Sequence, residues 1–146
     1  DTWYQKLGVQ CVFACGGGIY TSAAEAAAKV GGKVIGVDTD QSVVIDPNYG
    51  EGMTVTSAMK GLQAATESAL AKAFDGTWAD IGGKVETLNL QAGDYVGIPT
   101  AEASWNFKTF TMDEYTKVLE GIKAGEGENA NIGKAVIDFV IANAKK

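Results

Sequence analysis

The chain has 146 residues, 46% of them apolar and 21% charged, the proportions of one ordinary globular domain. Its formal net charge of −6 and its lack of a long basic run argue against nucleic acid as a partner. It contains no histidine, the commonest general base and metal ligand, and no apolar stretch long enough to span a bilayer.

Asp1 to Leu7 reads as the last turns of a helix closed by Gly8. No N-cap precedes it, so the chain is expected to start inside an element, as a fragment would. Val12, Phe13 and Ala14 are apolar without alternation, as are Val34, Ile35 and Val37. Such runs suit strands buried on both faces of a parallel sheet. Between them Ser22 and Glu25 have the spacing of a capping box, ahead of an alanine-rich helix that Gly31-Gly32 stops. The unit reads as a right-handed βαβ crossover. The carboxyl ends of its strands share one rim, where α/β sheets bind ligands, and Gly16-Gly17-Gly18 and Asp38 are expected there.

Cys11 and Cys15 both fall in the first strand. At about 3.3 Å per residue their Cα atoms would be roughly 13 Å apart, too far for a disulfide. They are expected to be buried small hydrophobes. Gln41 to Gly52 is polar and irregular, with Asp46-Pro47-Asn48 as a turn signal. Met53 to Thr56 is a short third strand, and Ser57 caps the helix that follows. Leu62, Ala65, Ala69, Leu70 and Ala73 stripe that helix, and Gly76 ends it. On this reading Lys60 lies early in the helix.

Lys84 to Leu90 and Tyr95 to Ile98 read as strands joined by a turn at Gln91 to Asp94. The first alternates, so it should face water on one side. Thr111 and Glu114 make a second capping box, opening a helix with Met112, Tyr115, Val118, Leu119 and Ile122 on one face and Gly125 at its end. A loop from Glu126 to Asn131 and a last helix, Lys134 to Asn143, complete the chain. The order implies an α/β fold: three layers around a mostly parallel sheet, forming one domain over 1–146.

Asp38 is the leading site candidate. A carboxylate accepts two hydrogen bonds in a fork, which matches the vicinal hydroxyls of a sugar, and a strand end holds it rigidly. Gly16, Gly17 and Gly18 permit close backbone approach and can aim N–H groups at a ligand. Tyr20 could stack on a flat ring. Asp40 and Gln41 should point away from the rim and serve as supports or loop caps. No Ser/His/Asp set, HExxH or phosphate-binding GxxxxGK[ST] is present, so the pattern points to binding rather than catalysis.

The stretches VFACGGGIYTSAAEAAAKV, KVIGVDTDQ and TVTSAMKGL, with FTMDEYTKVLEGIKAGE later, resemble the basic membrane protein family, the nucleoside-binding lipoproteins of ABC importers. The resemblance implies a Rossmann-like lobe of a type I periplasmic-binding-protein fold. It implies a non-enzymatic receptor lobe without cofactor or metal, matching only the C-terminal half. By the resemblance Asp38 binds ribose hydroxyls, Lys60 joins it, and Gly16 to Gly18 line the cleft. The partners implied are a nucleoside, a missing N-terminal lobe and an ABC permease, outside the cytoplasm and anchored by a lipidated N-terminus absent from this chain. Homodimerisation of such a lobe through its exposed helix stripe is a further expectation.

The chain departs from the family in GGGIY, where many members carry a GGTG-like loop, and in its tail from Glu126 onward. The alternative is a Rossmann-type dinucleotide-binding domain of an oxidoreductase. A glycine loop followed about twenty residues later by an acid fits that pattern. Thr21 stands where its third glycine or alanine belongs. A third reading, the effector lobe of a LacI-type regulator, would need a DNA-binding head.

Overall fold

The computed structural model describes residues 1–125. Strands β1 (Cys11–Phe13), β2 (Lys33–Asp38), β3 (Thr54–Lys60) and β4 (Val96–Gly97) form one open sheet in that order. β1, β2 and β3 are parallel, and β4 runs antiparallel to β3. The helices are α1 (Thr2–Leu7), α2 (Tyr20–Ala28), α3 (Ser42–Tyr49), α4 (Leu62–Phe74) and α5 (Met112–Ala124). The chain is therefore an α/β fold on a mostly parallel sheet.

Sequential parallel strands joined by right-handed crossovers place α2 and α3 on one face of the sheet. There they touch each other, and the core forms from Tyr4, Ala24, Ala26, Ala27, Val34, Ile45 and Met53. The alanines let α2 lie close to β2. The Tyr4 hydroxyl donates to the Lys33 carbonyl at 2.6 Å, and its ring fills the space a Cβ on Gly32 would need. This packing anchors α1. α4 and α5 bury no side chain fully. A second buried helix layer is thus not formed by the described residues, in contrast to the three layers expected.

Several local expectations change for tertiary reasons. The stretch after Asp40 is not irregular. It forms α3, with Pro47 inside, because fully buried Ile45 anchors it and the Gln41 carbonyl accepts from the amides of Val44 and Ile45. β3 continues through Ser57 to Lys60, so Ser57 is a buried mid-strand residue and no cap. Lys60 ends a strand rather than opening a helix. α2 begins at Tyr20, ahead of Ser22, so the Ser22/Glu25 box does not form. A 3-10 turn at Gly17–Ile19 leads into the helix instead.

Lys84 to Leu90 is not a strand, and Val85 is fully exposed. The place beside β3 is taken instead by β4. The expected strand at Tyr95 to Ile98 shrinks to Val96–Gly97. Both cysteines are free and exposed rather than buried: Cys11 lies on β1, an edge strand, and Cys15 lies not in that strand but in the loop after it. Partial burial of its sulfur still pushes the Cys11 thiol up, with Lys33 pulling the other way. The loop and helix expected after Glu126 lie outside the described residues.

The second capping box forms as read. The Thr111 amide donates to Glu114 Oε2 at 2.8 Å, and the Glu114 amide donates to Thr111 Oγ1 at 3.3 Å. The Thr111 amide, and then the Thr111 hydroxyl, which donates to the same Oε2 at 2.8 Å, hold the Glu114 carboxyl below its ordinary value of 4.5. A depressed carboxylate stabilises the fold above its unfolded value, and the effect fades as pH falls through the lower folded value. Amide exchange at Glu114 is therefore expected to accelerate as pH falls below 4.5, after correction for intrinsic rates. Glu114→Gln, which keeps both bonds, should remove that acid-side component. An unchanged pH dependence in the variant would refute this.

Thr54 and Thr56 are buried, and neither Oγ1 has a hydrogen-bond partner among the described residues. A buried hydroxyl without a partner costs roughly 1–3 kcal/mol. Thr54→Val replaces that hydroxyl with a methyl of similar shape. It is expected to stabilise the chain by about 1 kcal/mol in urea unfolding; a loss of stability would contradict the assignment.

Candidate functional site

A cleft of about 670 Å³ opens at the carboxyl ends of β1, β2 and β3. Phe13, Cys15, Gly16 and Gly17 form its β1 side, Val37 and Asp38 its β2 side, and Ala58, Met59 and Lys60 its β3 side. Leu90, Val96, Gly97, Ile98 and Tyr115 close it from beyond β3. The lining is mostly apolar, with one carboxylate and one ammonium.

Asp38 is the last residue of β2 and has φ +68°, the left-handed region. It is the one non-glycine residue with positive φ among the described residues. Aspartate tolerates this conformation better than most side chains, but it still costs about 1 kcal/mol. The turn is fixed by the Thr39 amide donating to the Val37 carbonyl at 2.8 Å. β2 and β3 are parallel with Asp38 beside Met59, so Lys60 lies one residue beyond. Its Nζ reaches an Asp38 carboxylate oxygen at 2.7 Å.

The hydrogen bond to Asp38, and then its charge, push the Lys60 ammonium above the usual lysine range. A raised lysine contributes stability below its unfolded value and loses it as pH rises through the folded one. Both groups contact solvent, at 66% exposure for Lys60 and 36% for Asp38, so the pair adds little to folding. It stays available to a ligand.

Gln41 ties the rim together. It is 8% exposed, and its Oε1 accepts from the Val37 amide at 3.0 Å while its Nε2 donates to the Gly17 carbonyl at 3.1 Å. Its own amide donates to Ser57 Oγ at 3.1 Å. One buried residue thus links the glycine loop, the end of β2 and the middle of β3. Gly36 makes room for it: a Cβ there would lie 2.7 Å from Ser57 Oγ and 2.8 Å from Gln41 Oε1. Asp40 points elsewhere, accepting from the amide and hydroxyl of Ser42 and from the Ser104 hydroxyl.

Among the residues singled out from the sequence, Gly16, Gly17, Asp38 and Lys60 meet in the cleft. Gly18 is exposed in the 3-10 turn and does not line it. Tyr20, the first residue of α2, is partly buried against the core instead and does not line the cleft. Sequence reasoning missed Cys15, Met59, Ile98 and Tyr115 as lining. Tyr115 belongs to an aromatic cluster, its ring centroid 5.8 Å from that of Trp105, which brings α5 to the cleft. The helical face containing Tyr115 was the one signal available.

A carboxylate acceptor next to an ammonium donor, above an apolar floor, suits a neutral ligand with hydroxyls at one end and a flat apolar portion at the other. Among the described residues no group of three cysteine, aspartate or glutamate side chains could hold a metal ion. No protein-family model matches the chain, and no curated protein matches it.

Proposed function

We propose that this chain is a ligand-binding lobe of a solute receptor: the C-terminal lobe of a type I periplasmic-binding-protein fold, serving an ABC importer and binding a nucleoside or related sugar-bearing solute. It acts without catalysis or cofactor, closing with an N-terminal lobe over the ligand and delivering it to a permease. It works outside the cytoplasm, at a membrane to which a lipidated N-terminus tethers the whole receptor. The carrying observation is the Asp38–Lys60 pair, 2.7 Å apart, facing Gly16 and Gly17 across one cleft. The carboxylate takes a vicinal diol, the ammonium donates to a hydroxyl or ring oxygen, and the apolar lining takes the base.

A single lobe covers one side of the ligand. It should bind several kcal/mol more weakly than a closed pair, on the order of a thousandfold. The test is therefore an NMR titration of the chain with nucleosides to millimolar concentration. Saturable amide shifts at Gly17, Asp38 and Lys60, absent in Asp38→Ala, support the reading. Shifts produced by NAD(H) and by no nucleoside overturn it in favour of a dinucleotide-binding domain. No shift with any of these ligands overturns it as well.

A further inference from the structure

β1 is a sheet edge, and its outer side carries backbone groups that nothing in the described residues satisfies. The Lys33 amide donates to the Gln10 carbonyl, and the Ala14 amide donates to the Ile35 carbonyl. In a parallel ladder the even-numbered residues of β1 therefore bond to β2, and Cys11 and Phe13 turn their backbone groups outward. Two groups on that outer line are already used: the Val9 amide donates to the Trp3 carbonyl, and the Phe13 carbonyl accepts from the Cys15 amide. What remains is the Cys11 amide and carbonyl, the Phe13 amide and the Val9 carbonyl.

We infer that this edge pairs antiparallel with the same edge of a second copy of the chain, with Cys11 opposite Cys11 across a two-fold axis. In that register each Cys11 amide donates to the partner copy's Cys11 carbonyl, and each Phe13 amide donates to the partner copy's Val9 carbonyl. The groups already occupied within the chain, the Val9 amide and the Phe13 carbonyl, are the ones left unpaired. A register placing Cys11 opposite Phe13 would send the Cys11 amide to a carbonyl already taken. The interface is isologous and joins the two sheets into one.

Side chains supply the rest. A groove of about 440 Å³ runs beside this edge between α1 and α2, with Trp3, Phe13 and Ile19 among its lining residues. These three are 60%, 50% and 59% exposed. Covering them would remove on the order of 400 Å² of apolar surface per copy. A standard interface takes roughly 800 Å² per partner, so three side chains provide about half of one. Natural sheets blunt their edges by shortness, lysine, proline or a bulge; β1 is short, at three residues, but its Cys11, Val12 and Phe13 include no lysine or proline. The exposed stripe of α4 offers apolar area but no row of unpaired backbone groups. The inference does not depend on the ligand reading.

The test uses the whole chain, sedimented over a micromolar to millimolar series, beside Cys11→Lys, which sets two like charges opposite each other in the pairing. A parallel experiment treats Cys15→Ser, where Cys11 is the sole cysteine, with a short bis-maleimide at mildly alkaline pH. The expected results are a concentration-dependent dimer, a monomeric Cys11→Lys with unchanged circular dichroism, and a Cys11–Cys11 cross-link in the dimer fraction. A monomer throughout overturns the inference. So does a dimer that persists in Cys11→Lys, which would place the contact elsewhere, such as on α4. A dimer without the cross-link overturns the register. Should Cys11→Lys unfold, the cross-link decides alone.

Discussion

Gln41→Leu is expected to lower the unfolding free energy by about 2–4 kcal/mol while leaving side-chain volume nearly unchanged. The substitution strands the buried Val37 amide and the half-buried Gly17 carbonyl, which lose their partners on Oε1 and Nε2. A buried backbone group without a partner costs roughly 1–3 kcal/mol, more than the hydrogen bond itself contributes when made. Gln41→Glu separates the two bonds. It keeps an acceptor for Val37 but sets a carboxylate oxygen against the Gly17 carbonyl. It should therefore loosen the glycine loop while the end of β2 stays in place. Urea unfolding gives the stabilities, and amide exchange at Gly17 and Thr39 tells which side of the rim has opened. A Gln41→Leu protein within about 0.5 kcal/mol of the parent would mean that the rim is held by something other than this side chain.

Asp38 should behave in the opposite way, with binding and stability moving apart. Asp38→Gly is expected to stabilise the chain by up to about 1 kcal/mol, since glycine adopts φ +68° without the clash a Cβ brings. The ion pair it gives up is exposed and offsets little of that gain. On the proposed function the same change removes the acceptor for the ligand diol, so nucleoside-induced shifts should vanish. Asp38→Ala should lose the ligand and also some stability, because alanine keeps the Cβ without the aspartate's tolerance for this region. Asp38→Asn should hold the backbone and lose the charge. A conformation that costs stability and is relieved only by losing the side chain is what a functional position shows. If Asp38→Gly proves less stable than the parent, the turn is structural and the strain argument fails.

The two residues divide one task. Gln41 is inside and sets where the rim lies; Asp38 is at the mouth and meets the solvent. Gly36 serves the first, since any side chain there would collide with Gln41 and Ser57. The lone carboxylate of the cleft is thus aimed by a turn whose neighbours are locked by a buried amide, and a ligand meets it with little further ordering. On the proposed reading of the chain as one receptor lobe, such pre-organisation offsets part of the cost of association that half a cleft must meet.

Much of the molecule was legible along the chain, for a reason that holds element by element. The Thr111/Glu114 box, the left-handed Gly8 and Gly125 at helix ends, and the glycine loop between β1 and α2 are all written within a few residues of where they act. Their hydrogen bonds close locally, so their sequence pattern suffices. The rim placement of Gly17 and Asp38 was readable on the same ground, because a strand–loop–helix–strand unit fixes which ends of its strands are neighbours. The rest depended on partners far away in the chain. The segment 84–90 has a strand's alternation, yet it is Val96–Gly97 that pairs with β3. Pro47 and a polar composition argued against a helix that Ile45, fully buried, brings about. Lys60 meets Asp38 because β3 runs on past Ser57, and Ser57 stays in the strand because Gln41, 16 residues earlier, donates to it. Local chemistry decided the parts of this protein whose bonds close nearby, and long-range pairing decided where its one ion pair in the cleft would stand.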